Sequence, residues 1–210
     1  MNYSIRRQRS LRQTTRESRW LRSARSRIRA CTVAFLAVTG AIPTRPQAAP
    51  SVEYQVKAAF LFNFAKFVEW PQDAFQSDKA PISLCLFRHD PFGGALDEVI
   101  REKAINNHEL QARRINDLAQ LKACQLVFVS QKEEGQLPEI LTSLKGASAL
   151  VVGESADFAE RGGAVQFFLE NNKLRFAINV DAIQRARLQA SSKLLALARI
   201  VHDKDHPKGG

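Results

Sequence analysis

The pattern of apolar and polar positions predicts a layered domain in which helices alternate with strands. Ser51 can cap a first helix, with Glu53 at a position that suits the positive end of the helix dipole. From there apolar residues fall at Val56, Phe60, Phe64, Phe67 and Val68, the spacing of one helical face, while Lys57, Asn63, Lys66 and Glu69 fall away from it. Glu53 and Lys57 form a favourable i, i+4 pair, and Pro71 biases Trp70 away from helical backbone. This stripe is expected to face the core.

Strand-like runs follow at Ile82 to Phe87, Glu109 to Ile115, Gln125 to Ser130 and Ala149 to Val152. The near-continuous apolar character of Gln125 to Ser130 is that of a strand buried on both faces. Between the strands, Asp90-Pro91 opens a helix expected to reach Ile100, with further helical segments at Asp117 to Lys122 and Pro138 to Leu144. Ala164 to Leu169 and Leu174 to Val180 flank the polar Glu170-Asn171-Asn172-Lys173, the signature of a hairpin. A last helix is expected from Asp181, its apolar positions Ile183, Leu188, Leu194, Leu195, Leu197 and Ile200. The expected fold is α/β: a single layered domain with a mixed, mostly parallel sheet of about six strands flanked by about five helices.

Charge divides the chain. Residues 1 to 49 hold eleven of the 31 Lys and Arg residues but only Glu17 among the 21 acids, so residues 50 to 210 carry 20 charges of each sign. The net charge of +10 is therefore no footprint of a nucleic-acid partner, which needs a basic face on the folded body. The arginines precede an apolar run, Ala30 to Pro43, and the small residues Ala48 and Ala49, which together read as a secretory signal peptide too short to span a bilayer. An uncleaved anchor, a basic arm and an upstream extension from a misassigned start are the alternatives. Arg6-Arg7 is a chance pair among so many arginines, and Cys31 precedes the apolar run instead of following it as a lipoprotein cysteine would. The expected organisation is a leader at 1–49, an exported domain at 50–204 and a terminal tail at 205–210.

Two cysteines remain in the body, Cys85 and Cys124. In an oxidising compartment an even number suggests a bridge, worth about 4 kcal/mol for a loop of about 40 residues, against the alternative of two buried thiols. Motifs for nucleophilic, zinc, P-loop or dinucleotide chemistry are missing from the sequence. His89 stands at a strand end beside Asp90, Gly93-Gly94 reads as a turn more than an anion site, and Ser191-Ser192-Lys193 reads as helix surface. His202 and His206 have the spacing of a weak metal pair in a segment expected to fray. Neither a cofactor nor a metal is expected. In the hairpin, Phe167, Phe168 and Phe176 cannot all share one face, so either the terminal helix covers the second face or that face is an interaction surface.

Val56 to Pro71 (VKAAFLFNFAKFVEWP) resembles the opening helix of the YfiR-like family of periplasmic regulators. Ile82 to Gly93, Cys124 to Ser130, Phe158 to Phe167, Arg175 to Asn179 and Leu188 to Ala198 add to the resemblance, which spans about residues 52 to 202. It implies a dimeric, non-catalytic protein that binds and represses the periplasmic sensor portion of an inner-membrane diguanylate cyclase, or of a sensor kinase, and is sequestered by an outer-membrane peptidoglycan-associated lipoprotein. It also implies that Cys85 and Cys124 are bridged, and that partner-binding positions lie around the hairpin at Phe158, Phe167, Arg175 and Asn179. A second bridge of the family's repressor has no counterpart here. A small-molecule sensor using the crevice at the strand ends is the competing reading, and a hydrolase using His89 a third.

Overall fold

The computed structural model describes residues 51–204; the leader expected at 1–49 and the tail expected at 205–210 lie outside the described residues. In chain order the elements are α1 (Val52–Phe67), β1 (Val68–Glu69), β2 (Ile82–Phe87), α2 (Ala95–Ile100), β3 (Ala104–Ile105), β4 (His108–Ile115), β5 (Leu126–Val129), α3 (Leu137–Ser143), β6 (Leu150–Gly153), β7 (Val165–Glu170), β8 (Lys173–Asn179), α4 (Val180–Arg185), β9 (Gln189–Ala190), α5 (Ser192–Leu195) and β10 (Arg199–Val201). Short 3-10 helices occupy Gln72–Ala74, Leu118–Ala123 and Gln131–Gln136.

Eight strands form one sheet in the order β10-β8-β7-β6-β5-β2-β4-β3, and β1 pairs with β9 in a small ribbon. Neighbours from β4 through β7 run parallel, as do β8 and β10; the hairpin β7/β8 and the edge β3 are antiparallel. The mixed, mostly parallel sheet is the one the sequence pattern predicts. The six long runs are all strands, and the additional short ones are edge or ribbon pieces without a hydrophobic pattern long enough to register. Within the parallel part, the order β4-β2-β5-β6-β7 is the doubly wound 2-1-3-4-5 arrangement, which puts a topological switch point between β2 and β5.

Every residue of β2, β5 and β6 is buried, as strands covered on both faces require. On one face Leu84, Leu86, Leu126, Phe128, Leu150, Val152 and Phe167 pack with Ala58, Leu61, Phe64 and Ala65 of α1 and Leu96 and Ile100 of α2. On the other, Cys85, Phe87, Val127, Val129 and Val151 pack with Leu121, Leu137, Ile140 and Phe158. The α1 stripe is rotated from the expected one. Ala58, Leu61, Phe64, Ala65 and Val68 face inward, whereas Val56 is 41% exposed and Phe60 and Phe67 are half-buried. Ser51 stands at the N-cap without a side-chain capping bond.

Two expected helices are corrected. The Asp90-Pro91 segment does not start one, because the Asp90 carboxylate accepts from the Phe92 N–H and from Arg114, holding a loop until α2 begins at Ala95. The single terminal helix is instead α4, β9, α5 and β10. Helix α4 ends at Arg185; two residues on, Arg187 has left-handed backbone (φ 56°), and the Leu188 N–H returns to the Ile183 carbonyl, the closure that stops a helix. Arg187 is held there by Asp73 and Ser148. Ser191 then caps α5 through the Leu194 N–H, and Leu197 and Ile200 point outward at 72% and 45% exposure.

Candidate partner-binding surface

The hairpin turns on Asn171 and Asn172, both with positive φ, between the paired Glu170 and Lys173. Asparagine tolerates this conformation better than other non-glycine residues, and a two-residue turn with both φ positive matches the twist of the strands. Strand alternation then sorts the side chains. Phe167 and Phe176 stand opposite each other and pack under Phe60 and Phe64 of α1, with ring centroids 5.1 to 5.9 Å apart across the layers. The cover on this face is therefore α1, whose apolar stripe was expected to face the core.

The other face carries Phe168 opposite Arg175. The Arg199 guanidinium of β10 lies 4.1 Å from the centre of the Phe168 ring and donates to Glu170 at 2.6 Å, while Arg175 stands 4.0 Å from the same carboxylate. A cleft of about 260 Å³ runs between Phe168, Arg175, Leu197 and Arg199. At the hairpin tip Leu169 is 61% exposed opposite the half-buried Leu174. Apolar groups rimmed by arginine and glutamate give this end of the sheet the character of a contact surface.

The four hairpin-region positions fall differently. Arg175 is exposed. Phe167 is buried in the core. Phe158 is buried on the opposite face, its ring filling the space above Gly153 and Gly163, where an added Cβ would sit 2.3 and 2.2 Å from ring carbons. Asn179 is buried and saturated: its Oδ1 accepts from the Asp181 and Ala182 N–H groups at the start of α4, and its Nδ2 donates to the Ala159 carbonyl and the Asp203 carboxylate. Of the four, only Arg175 has an exposed side chain; the other three are buried.

Sequence reasoning missed a polar cluster beside the hairpin. Lys57 is buried between Glu53 and Glu154, 2.5 Å from each carboxylate, and its ammonium lies 4.5 Å from the centre of the Tyr54 ring. Glu154, just past β6, also accepts from the Tyr54 hydroxyl and the Gln131 N–H. Burial and the neighbouring Glu154 push the Tyr54 hydroxyl well above the usual tyrosine range. A cleft of about 530 Å³ connects this cluster to Phe168, Leu169 and Leu174 of the hairpin. The i, i+4 pair of Glu53 and Lys57 was legible; the burial of Lys57 depends on Glu154, 97 residues away.

Cys85 on β2 and Cys124 before β5 are joined in a disulfide, with Cα atoms 5.9 Å apart, inside the core on the Phe158 face. Across the sheet, Arg114 at the end of β4 clamps Asp90 and Asp97, and hydrogen bonding to Arg114 holds the Asp97 carboxyl below its usual range. His202 contacts Asp181, and Ser191 serves as a cap. Among the described residues no cluster of His, Cys, Asp and Glu could hold a metal ion, and no helix is long and apolar enough to cross a membrane. His206 lies outside the described residues.

With that geometry in place, the profile of the YfiR/HmsC-like family matches residues 54–199. The chain belongs to this family. The match takes in α1 from Tyr54 onward, both cysteines of the disulfide and the whole hairpin, so Phe168, Arg175 and Arg199 lie within the YfiR/HmsC-like domain. Among solved structures, a conserved domain protein from Vibrio cholerae O1 biovar El Tor is 9% identical, with a TM-score of 0.46 over 70% of this chain and 59% of that one. The ABC domain in complex with L-Trp from Streptococcus pneumonia is 8% identical, with a TM-score of 0.44 over 73% of this chain and 62% of that one. The chain thus spans about three fifths of the length of either structure.

Proposed function

We propose that this protein is a periplasmic, non-catalytic regulator that binds the periplasmic sensor portion of an inner-membrane signalling protein, a diguanylate cyclase in the first instance, and holds it inactive. Family membership supports the class. The observation that carries the reading is the outer end of the sheet, where Arg175, Arg199 and Glu170 frame Phe168 beside the exposed Leu197 on one face, while Leu169 and Ile200 are exposed on the other. Apolar groups exposed in this number at one end of a domain favour burial against another protein.

Repression then follows from differential affinity: a protein that binds only the inactive conformation of the cyclase shifts its population by the ratio of affinities for the two states. Sequestration by an outer-membrane peptidoglycan-associated lipoprotein would reverse it by mass action, and a homodimer would present two such surfaces to a dimeric sensor. The 1–49 segment serves as the export signal in this reading, and the domain at 50–204 is what acts in the periplasm. Titrating the purified protein against the isolated periplasmic portion of the membrane cyclase tests the contact. Saturable binding that Arg175→Glu abolishes supports it; binding indifferent to Arg175→Glu and Leu169→Asp removes the hairpin from the interface.

A further inference from the structure

The hairpin runs past the strand beside it, and the edge it leaves uncovered borders a groove. Pairing between β6 and β7 covers only Val152 with Val165 and Gly153 with Gln166, whereas β7 continues to Glu170. The Asn179 N–H donates to the Ala164 carbonyl, which fixes the phase of the β7/β8 ladder: Gln166, Phe168 and Glu170 turn their backbone groups toward β8, and Phe167 and Leu169 turn theirs away from it. Among the described residues no strand lies beside Leu169 on that outer side. The residue is 61% exposed, and its N–H and C=O form a template on which another strand can pair.

The cleft of about 530 Å³ lies along this edge. Gln166, Phe167, Phe168 and Leu169 all line it, four consecutive residues whose side chains alternate between the two faces of the sheet, so it runs against the side of the strand and not over either face. Glu53, Tyr54 and Lys57 of α1 and Glu154 past β6 line it as well. These groups bring two carboxylates and one ammonium: Lys57 is shared between Glu53 and Glu154, 2.5 Å from each, which leaves one negative charge in excess among phenylalanine, leucine and tyrosine side chains. Glu53, its side chain 45% exposed, is the carboxylate that a ligand can reach, because Glu154 is 6% exposed and engaged by Lys57, Tyr54 and the Gln131 N–H.

We propose that this groove takes up an extended segment of the partner protein by strand addition to β7, the segment carrying lysine or arginine among apolar residues. Main-chain bonds to Leu169 supply binding, and the excess carboxylate supplies the preference for a basic side chain. The proposal rests on the reading that the hairpin end meets a partner, and gives that contact a mode and a chemistry. NMR titration of the purified protein with a hexapeptide alternating lysine and valine, and separately with its glutamate counterpart, tests it. The expected result is saturable binding of the lysine peptide, with slowed hydrogen exchange at the Leu169 amide, and none of the glutamate peptide.

Leu169→Pro removes the outward N–H without touching the bonds to β8, a replacement that edge strands tolerate, and should abolish binding while the Tm stays near the parent's. Glu53→Gln should weaken the peptide about threefold, as for a charge pair at a half-exposed site, and it carries the test if Leu169→Pro fails to fold. Binding of neither peptide, binding of both alike, or affinity unchanged in both variants overturns the proposal. So does slowed exchange at Leu169 that rises with protein concentration alone, which puts a second copy in the groove. Arg175 lies outside the cleft, so a periplasmic cyclase fragment that still binds Leu169→Pro in an Arg175-dependent way overturns strand addition and leaves the hairpin contact standing.

Discussion

Lys57 on α1 places its ammonium 2.5 Å from Glu154 past β6, with the two side chains only 5% and 6% exposed. This ion pair pins the first helix to the carboxyl end of the sheet, next to the hairpin. Removing one partner leaves a buried charge unmatched, which typically costs about 3–5 kcal/mol. Lys57→Met and Glu154→Gln are each expected to lower stability by about that much in urea unfolding. The double variant should lose less than the two singles summed, the mark of a direct pair.

Acid sensitivity should map to the Arg114 clamp. Hydrogen bonding to Arg114 lowers the Asp97 pKa in the folded state. Its stabilising contribution is therefore complete above the ordinary carboxylate pKa of about 3.9 and is lost as pH falls through the lowered folded value. Asp97→Asn should reduce the urea midpoint at neutral pH and converge on the parent as pH falls through the lowered folded value; a constant gap on acidification would show that the ion pair is not its source.

Gly163 and Gly153 are empty because the Phe158 ring occupies the space their side chains would need. Gly163→Ala should destabilise by about 1–3 kcal/mol or more through overpacking, read as a fall in Tm. Combining it with Phe158→Leu should recover part of that loss, whereas an unrelated backbone effect would leave the two changes additive.

Reducing the Cys85–Cys124 bridge releases a loop closed over a sequence separation of 39 residues. The chain-entropy argument puts its contribution at about 4 kcal/mol. Urea midpoints measured with and without dithiothreitol should differ accordingly, and the Cys85→Ser, Cys124→Ser double variant should not respond to reductant.

Much of the fold is legible in the sequence because long hydrophobic runs report burial directly. Ile82 to Phe87 and Gln125 to Ser130 read as buried strands, and the Asn171-Asn172 turn announces the hairpin. The terminal segment misleads because Leu188, Leu194, Leu195 and Ile200 keep a helix-like spacing while Arg187 adopts the left-handed backbone usually left to glycine. Its breaking of the helix rests on Asp73 and Ser148, which are remote in sequence. The surface was harder to read for the same reason. Family resemblance marks Phe158, Phe167 and Asn179 together with Arg175, yet only packing distinguishes the three buried residues from the exposed one. Arg199 over Phe168 and Glu154 beneath Lys57 join segments that no local pattern connects.

Arg175 is exposed and stands 4.0 Å from the exposed Glu170 carboxylate, so Arg175→Glu should change stability by no more than about 0.5 kcal/mol. Phe167→Ala, by contrast, should cost about 3–5 kcal/mol and fail through unfolding. Circular dichroism melts of the two proteins separate a surface defect from a folding defect.

The most direct test of the regulatory role is the intracellular cyclic di-GMP level in a strain lacking this gene, complemented with either the parent protein or its folded Arg175→Glu variant. The account predicts that deletion raises cyclic di-GMP, that the parent restores it and that Arg175→Glu does not. Levels unchanged by deletion, or restored equally by both proteins, would contradict it.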